Sequence, residues 1–205
     1  MLGASPLSSF SEGTDAAQVC DRVYDDLRDS VILTYPWSFS LKKIALARSV
    51  DTPVSEWTYQ YPLPADLLGS GPRALFTDSS AGSRPINSGW EIYARNILTD
   101  YESVLIDYQF RPSEDVMPTY FVQLLKYFTC WHIAEPVTDQ TTKSQYWQAI
   151  STGMPSENGR GGALRQCMNI DGASRPSEVI EDFSLIAIRG SHGEDHKSPN
   201  EFQRW

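Results

Sequence analysis

Apolar residues Ala16, Val19, Cys20, Val23, Tyr24, Leu27 and Val31 recur at intervals of three and four, the spacing that gathers side chains on one face of an α-helix. Thr14 stands where an N-cap is needed, Asp15 suits the positive end of the helix dipole, and Pro36 blocks continuation. The pattern predicts a helix over about 14–34. Asp21, Asp25, Asp26, Arg28 and Asp29 fall on its other face, which reads as a solvated surface.

From Trp37 to about Arg111 the period drops towards two. Phe39 and Leu41 begin the alternation, Trp57, Tyr59, Tyr61 and Leu63 repeat it, and Trp90, Ile92 and Ala94, then Val104, Ile106, Tyr108 and Phe110, complete it. Such alternation of β-branched and aromatic residues predicts a small antiparallel sheet inserted over about 37–111. The last two strands are expected to turn through Asn96 to Asp100 or through Tyr101 and Glu102. Thr77 to Gly89 is polar and turn-rich, so it should project as an exposed loop. Ser79, Ser83, Arg84 and Asn87 are its candidate contact residues, because loops on a rigid scaffold often carry recognition.

The helical period then returns. Pro118 suits a helix start, and Phe121, Leu124, Leu125, Phe128, Trp131 and His132 follow it, with Pro136 as the stop. This helix, over about 117–135, should form the centre of the core. Thr138 offers a cap for a third helical region over about 138–170, carrying Tyr146, Trp147 and Ile150. Gly153, Pro155 and the run Asn158 to Gly162 interrupt it before helix resumes at Ala163 to Asn169. Beyond Gly172 the chain is polar apart from Val179, Ile180, Phe183, Leu185, Ile186 and Ile188, and reads as an extended arm. The predicted fold class is therefore α+β: a bundle of about three helices with an inserted small antiparallel β-sheet and an extended C-terminal arm. The core covers 1–172 and the arm 173–205. No internal repeat is present.

Composition narrows the function classes. At 205 residues, with 40% hydrophobic and 12% aromatic residues, the chain can bury a substantial core. A formal charge of −9 disfavours a surface built to grip nucleic-acid phosphates. It is compatible with a channel through which DNA must slide. No stretch approaches a membrane span and the start is not a secretion signal, so a soluble, non-secreted protein is expected. Cys20, Cys130 and Cys167 are far apart and odd in number, which fits reduced, buried thiols.

Catalytic patterns are hard to assemble. His192 and His196 have the spacing of helical zinc ligands, but Gly190, Gly193 and Pro199 argue against a helix and no third ligand is indicated. His132 reads as a hydrogen-bonded core histidine. Cys130 lies two residues from it, so the two diverge on a helix and form no nucleophile pair. The Asn158 to Ala163 run matches no phosphate-binding loop, and no nucleophile-elbow motif occurs. We therefore expect no enzyme activity, no catalytic residues, no metal and no cofactor. A small phage-encoded or bacterial hydrolase with an unrecognised site is the alternative, and a head-completion or tail-terminator protein a third.

The order of the segments is more informative than any one of them. Leu2-Gly3-Ala4-Ser5-Pro6 opens the chain, a capped helix follows, and Pro36-Trp37-Ser38-Phe39 comes next. Then come Tyr59-Gln60-Tyr61-Pro62-Leu63-Pro64-Ala65-Asp66, Trp90-Glu91-Ile92, Asn96 to Asp100 and the helix of Phe121 and Leu124. This series resembles the tail tubular protein A, or head-to-tail adaptor, family of short-tailed bacteriophages. That family shares a G-x-x-P start, a P-W-x-F element, a Y-x-Y-x-L-P-x-D segment and an I-L-T-D turn. The resemblance covers about residues 2 to 150, and departs at Ser151 to Gly162, where family members usually continue a helix.

The resemblance implies a virion protein at the head–tail junction, assembled in the host cytoplasm as a dodecameric ring. Its implied partners are the portal protein, the tail nozzle protein and further copies of itself, with double-stranded DNA passing through the lumen unread and no membrane involved. The loop residues Ser79, Ser83, Arg84 and Asn87 would then face the tail. The apolar arm residues Val179 to Ile188 would dock on the portal or on a neighbouring subunit.

Overall fold

Thr14 caps the first helix as expected, its Oγ1 accepting the Ala17 N–H at 3.3 Å, and α1 runs Asp15–Leu33. The computed structural model describes residues 2–3, 7–80 and 83–175. Ala17, Cys20, Leu27, Val31 and Ile32 bury one face of α1. Pro36 and Trp37 then bend the chain into a short 3-10 turn, Ser38–Ser40.

Among the described residues six strands follow: β1 Leu41–Ala45, β2 Tyr59–Pro62, β3 Ala74–Phe76, β4 Trp90–Tyr93, β5 Asn96–Thr99 and β6 Leu105–Gln109. They form two three-stranded antiparallel sheets, β1-β6-β3 and β2-β5-β4, where the sequence predicts one. Tyr61 and Ile97 of one sheet and Leu75, Ile106 and Tyr108 of the other share a single buried cluster. One face of each sheet is thereby removed from water. Of the two stretches expected to turn, Asn96–Thr99 is strand β5, with Ile97, Leu98 and Thr99 buried, whereas Tyr101-Glu102 lie in the connection from β5 to β6. The turn between β4 and β5 is Ala94-Arg95, both at positive φ (45° and 64°), the geometry that matches the twist of a two-residue hairpin.

A 3-10 turn, Glu114–Val116, leads to α2, Thr119–Thr138. This helix runs through Pro136 instead of stopping there. Proline removes one donor near the end of the helix, but Asp139, at φ 53°, closes the last turn by giving its N–H to Glu135 O. Thr138 therefore belongs to α2 and caps nothing, and α3, Thr141–Thr152, starts from Gln140 without a side-chain cap. The predicted region 138–170 is two helices, α3 and α4 (Gly162–Ala173), separated by the glycine- and proline-bearing connection. Among the described residues the bundle thus has four helices, and the fold is α+β.

Leu27, Val31, Ile32, Trp37, Phe121, Leu124, Phe128, Leu164 and Cys167 make up the helical core. Gln109, at the end of β6, joins this bundle to the sheets: its buried amide lies 2.6 Å from Ile32 O, 2.8 Å from Tyr35 O and 3.0 Å from Ser40 Oγ. Arg28 pairs with Asp25, Asp29 and Glu114, and Arg111 with Asp29, along the same junction. All these elements lie in one unit, Met1–Ser174.

Candidate interaction surfaces

The segments that carry the family resemblance are joints of the fold. Trp37 is fully buried and gives its indole N–H to Val31 O at 3.2 Å. Beside it, Ser38 donates its N–H (3.0 Å) and hydroxyl (2.7 Å) to the carboxylate of Asp171, a fully buried residue of α4. Tyr120 of α2 donates to the same carboxylate at 2.7 Å. One side chain of α4 therefore ties the corner after α1 to α2. Burial, then the bond to Asp171, pushes the Tyr120 hydroxyl up to about 12.

The sheet motifs act likewise. Tyr61 Oη lies 2.9 and 2.7 Å from the carbonyls of Tyr101 and Glu102. Thr99 Oγ1 donates to Gly89 O at 2.6 Å, and Asp100 accepts both the N–H and the hydroxyl of Thr58. Leu63 N–H bonds to Arg95 O, and Arg95 reaches back to Pro64 O. Asp66 accepts from Tyr108 at 2.9 Å and pairs with Lys42 at 3.0 Å. Burial alone would raise the Asp66 carboxyl, but the bonds from Lys42 and Tyr108 outweigh it and hold it below its ordinary range. Pro6, the end of the G-x-x-P start, lies outside the described residues.

Of the predicted contact residues, Ser79, Arg84 and Asn87 are exposed and Ser83 is half-buried, all in the loop after β3. The loop is fastened more than a freely projecting one would be. Ser83 N–H bonds to Ser80 O, and Ile86 packs on the sheet core with its N–H on Leu75 O at 2.8 Å. Val179, Ile180, Phe183, Leu185, Ile186 and Ile188 lie outside the described residues, as do His192 and His196. His132 corrects the sequence reading: it is exposed on the rim of a groove, with Nδ1 2.9 Å from its own helix carbonyl at Phe128. Cys20, Cys130 and Cys167 are buried and form no disulfide among the described residues, and burial raises each thiol, which makes them poor nucleophiles.

Three surface features escaped the sequence reading. A groove of about 400 Å³ runs between α1 and α2, floored by Val23, Leu27, Val31, Phe128 and Trp131. At the hairpin tip Ile92 and Tyr93 are 39% and 74% exposed, and Val50 and Val54, in the connection before β2, are exposed too, Val54 lining a cleft with Tyr93. On the α3–α4 side Tyr146, Met154 and Ile170 are exposed. Periodicity assigns such residues to a core, and only the packing shows which positions stay uncovered. Among the described residues no group of three or more His, Cys, Asp or Glu converges, and no helix is long and apolar enough to cross a membrane.

Neither a protein-family model nor a curated protein matches this chain.

Proposed function

We propose that this protein is a structural head-to-tail adaptor of a tailed bacteriophage, a ring subunit joining the portal to the tail nozzle around a DNA passage. The observation that carries the reading is that the ordered motif segments are joints holding helices and sheets together. A series of this kind marks a shared scaffold, whereas catalytic motifs would converge on a pocket. Two further features support it. Large apolar side chains stay exposed on the bundle and at the hairpin tip, and an apolar groove opens between α1 and α2, as expected of a subunit whose surfaces meet partners. The acidic net charge of −9 suits a wall past which DNA slides without being held.

Electron microscopy of the full chain mixed with a portal assembly from the same phage tests the proposal. Added ring density of cyclic symmetry beneath the portal is expected. Portals that stay bare at saturating protein would overturn it.

A further inference from the structure

In the helical part of the fold, α2 packs against α1 and also against α3 and α4, whereas α1 and α3 have no substantial packing on one another. The surfaces carried on either side of α2 differ in charge. α1 has five aspartates, Asp15, Asp21, Asp25, Asp26 and Asp29, against Arg22 and Arg28. From α3 to the end of α4 the surface carries Lys143, Arg160 and Arg165 against Glu157, the other acid there, Asp171, being buried. Asp21 and Asp26 on one flank, and Arg160 on the other, are exposed and stand in no ion pair among the described residues. Arg111, raised first by its bond to Asp29, also feels the nearby Asp26, and Asp21 and Arg160 face solvent, so these charges are presented at the surface.

Shape follows the same division. The α1 flank holds the groove of about 400 Å³ with its apolar floor. The α3–α4 flank presents Tyr146, Met154 and Ile170, 61%, 60% and 51% exposed. We propose that the α1–α2 flank of one copy of this chain receives the α3–α4 flank of a second copy. This deepens the adaptor reading, on which it rests, by naming the two faces that meet. Because the faces differ, a pair leaves one of each unsatisfied, so the contact repeats from copy to copy and ends only when a ring closes. Complementary charge steers the encounter and weakens with salt, while the apolar side chains in the groove do not depend on it.

Sedimentation velocity of the full chain across a micromolar concentration series, at low and high salt, tests this. The parent should associate beyond a dimer, less so at high salt. Asp26→Arg and Arg160→Asp should each weaken association about tenfold, and the chain carrying both should recover most of the loss. Met154→Ala with Tyr146→Ser should weaken it at both salt concentrations. Both charged positions are exposed, and circular dichroism confirms that each variant is folded. A parent that stays monomeric throughout, single variants that associate like the parent, or a doubly reversed chain weaker than either single would each overturn the proposal. A chain that binds portals without self-associating overturns this inference and spares the adaptor reading. Self-association through these faces by a chain that ignores portals does the reverse.

Discussion

Asp171 ties three parts of the helical bundle together through one buried side chain. Its carboxylate receives two donors from Ser38 and one from Tyr120 inside the core. Replacing it with alanine strands those donors away from water, each at about 1–3 kcal/mol. Asp171→Ala should lower the unfolding free energy by about 3 kcal/mol, and Asp171→Asn, which keeps one acceptor oxygen, by less. Urea titration of the three proteins checks this, and a loss below about 1 kcal/mol for alanine would show the donors finding water. Two tyrosines give an alkaline counterpart. Tyr24 and Tyr120 are each pushed up to about 12, by burial first and by bonds to Glu114 and Asp171 second. Between pH 10 and 12 the unfolded chain releases these protons and the folded chain keeps them. The stability they contribute is present below pH 10 and is lost as pH rises through about 12. Melting temperature should therefore fall across that window, and fall less steeply in Tyr24→Phe and Tyr120→Phe, even where those variants start lower at neutral pH.

Among the elements, the β4–β5 hairpin holds the clearest local strain. Ala94 and Arg95 both sit in the left-handed region, which side chains other than glycine or asparagine adopt at about 1 kcal/mol or more. Ala94→Asn with Arg95→Gly should raise the melting temperature by several degrees, and scanning calorimetry would show it. An unchanged or lower value would mean that the Arg95 bond to Pro64 O outweighs the strain. The same turn explains part of what the sequence conceals. α1 is legible because its apolar face, cap and stop agree. The hairpin is not, because Ala-Arg is no turn signal and the Asn96 to Asp100 run resembles one. Pro136 reads as a stop, yet Asp139 closes the helix beyond it. The three-residue β3 is too short to show alternation, so one sheet was expected where two face each other. The candidate surfaces were the least legible: Trp131 and His132 share the spacing of the buried Phe128, and only the separation of α1 from α2 shows that they line a groove.

At the scale of the whole molecule, the bundle and the sheets meet at Gln109, whose buried side-chain amide shares its two hydrogens among Ile32 O, Tyr35 O and Ser40 Oγ. Gln109→Leu keeps the volume but leaves the Ile32 and Tyr35 carbonyls without this donor, which should destabilise the fold by about 2–4 kcal/mol. Hydrogen exchange should then show the sheet amides opening before those of α2, whereas they open together in the parent. The described helices and strands all lie within Met1–Ser174. A chain ending after Arg175 should therefore keep the parent's circular dichroism and melt within a few degrees of it, since the described cores are built from residues of the helices and strands before that point. The adaptor reading adds a second expectation for the same truncation. Val179, Ile180, Phe183, Leu185, Ile186 and Ile188 make the one apolar group in a polar stretch, and burying three or four of them on a partner would contribute roughly 5–10 kcal/mol before ordering costs. The shortened chain should then lose attachment to portal-bearing heads. Pull-down with such heads decides it: attachment equal to that of the full chain would remove the arm from the portal contact, and loss of the fold on truncation would place it in the core.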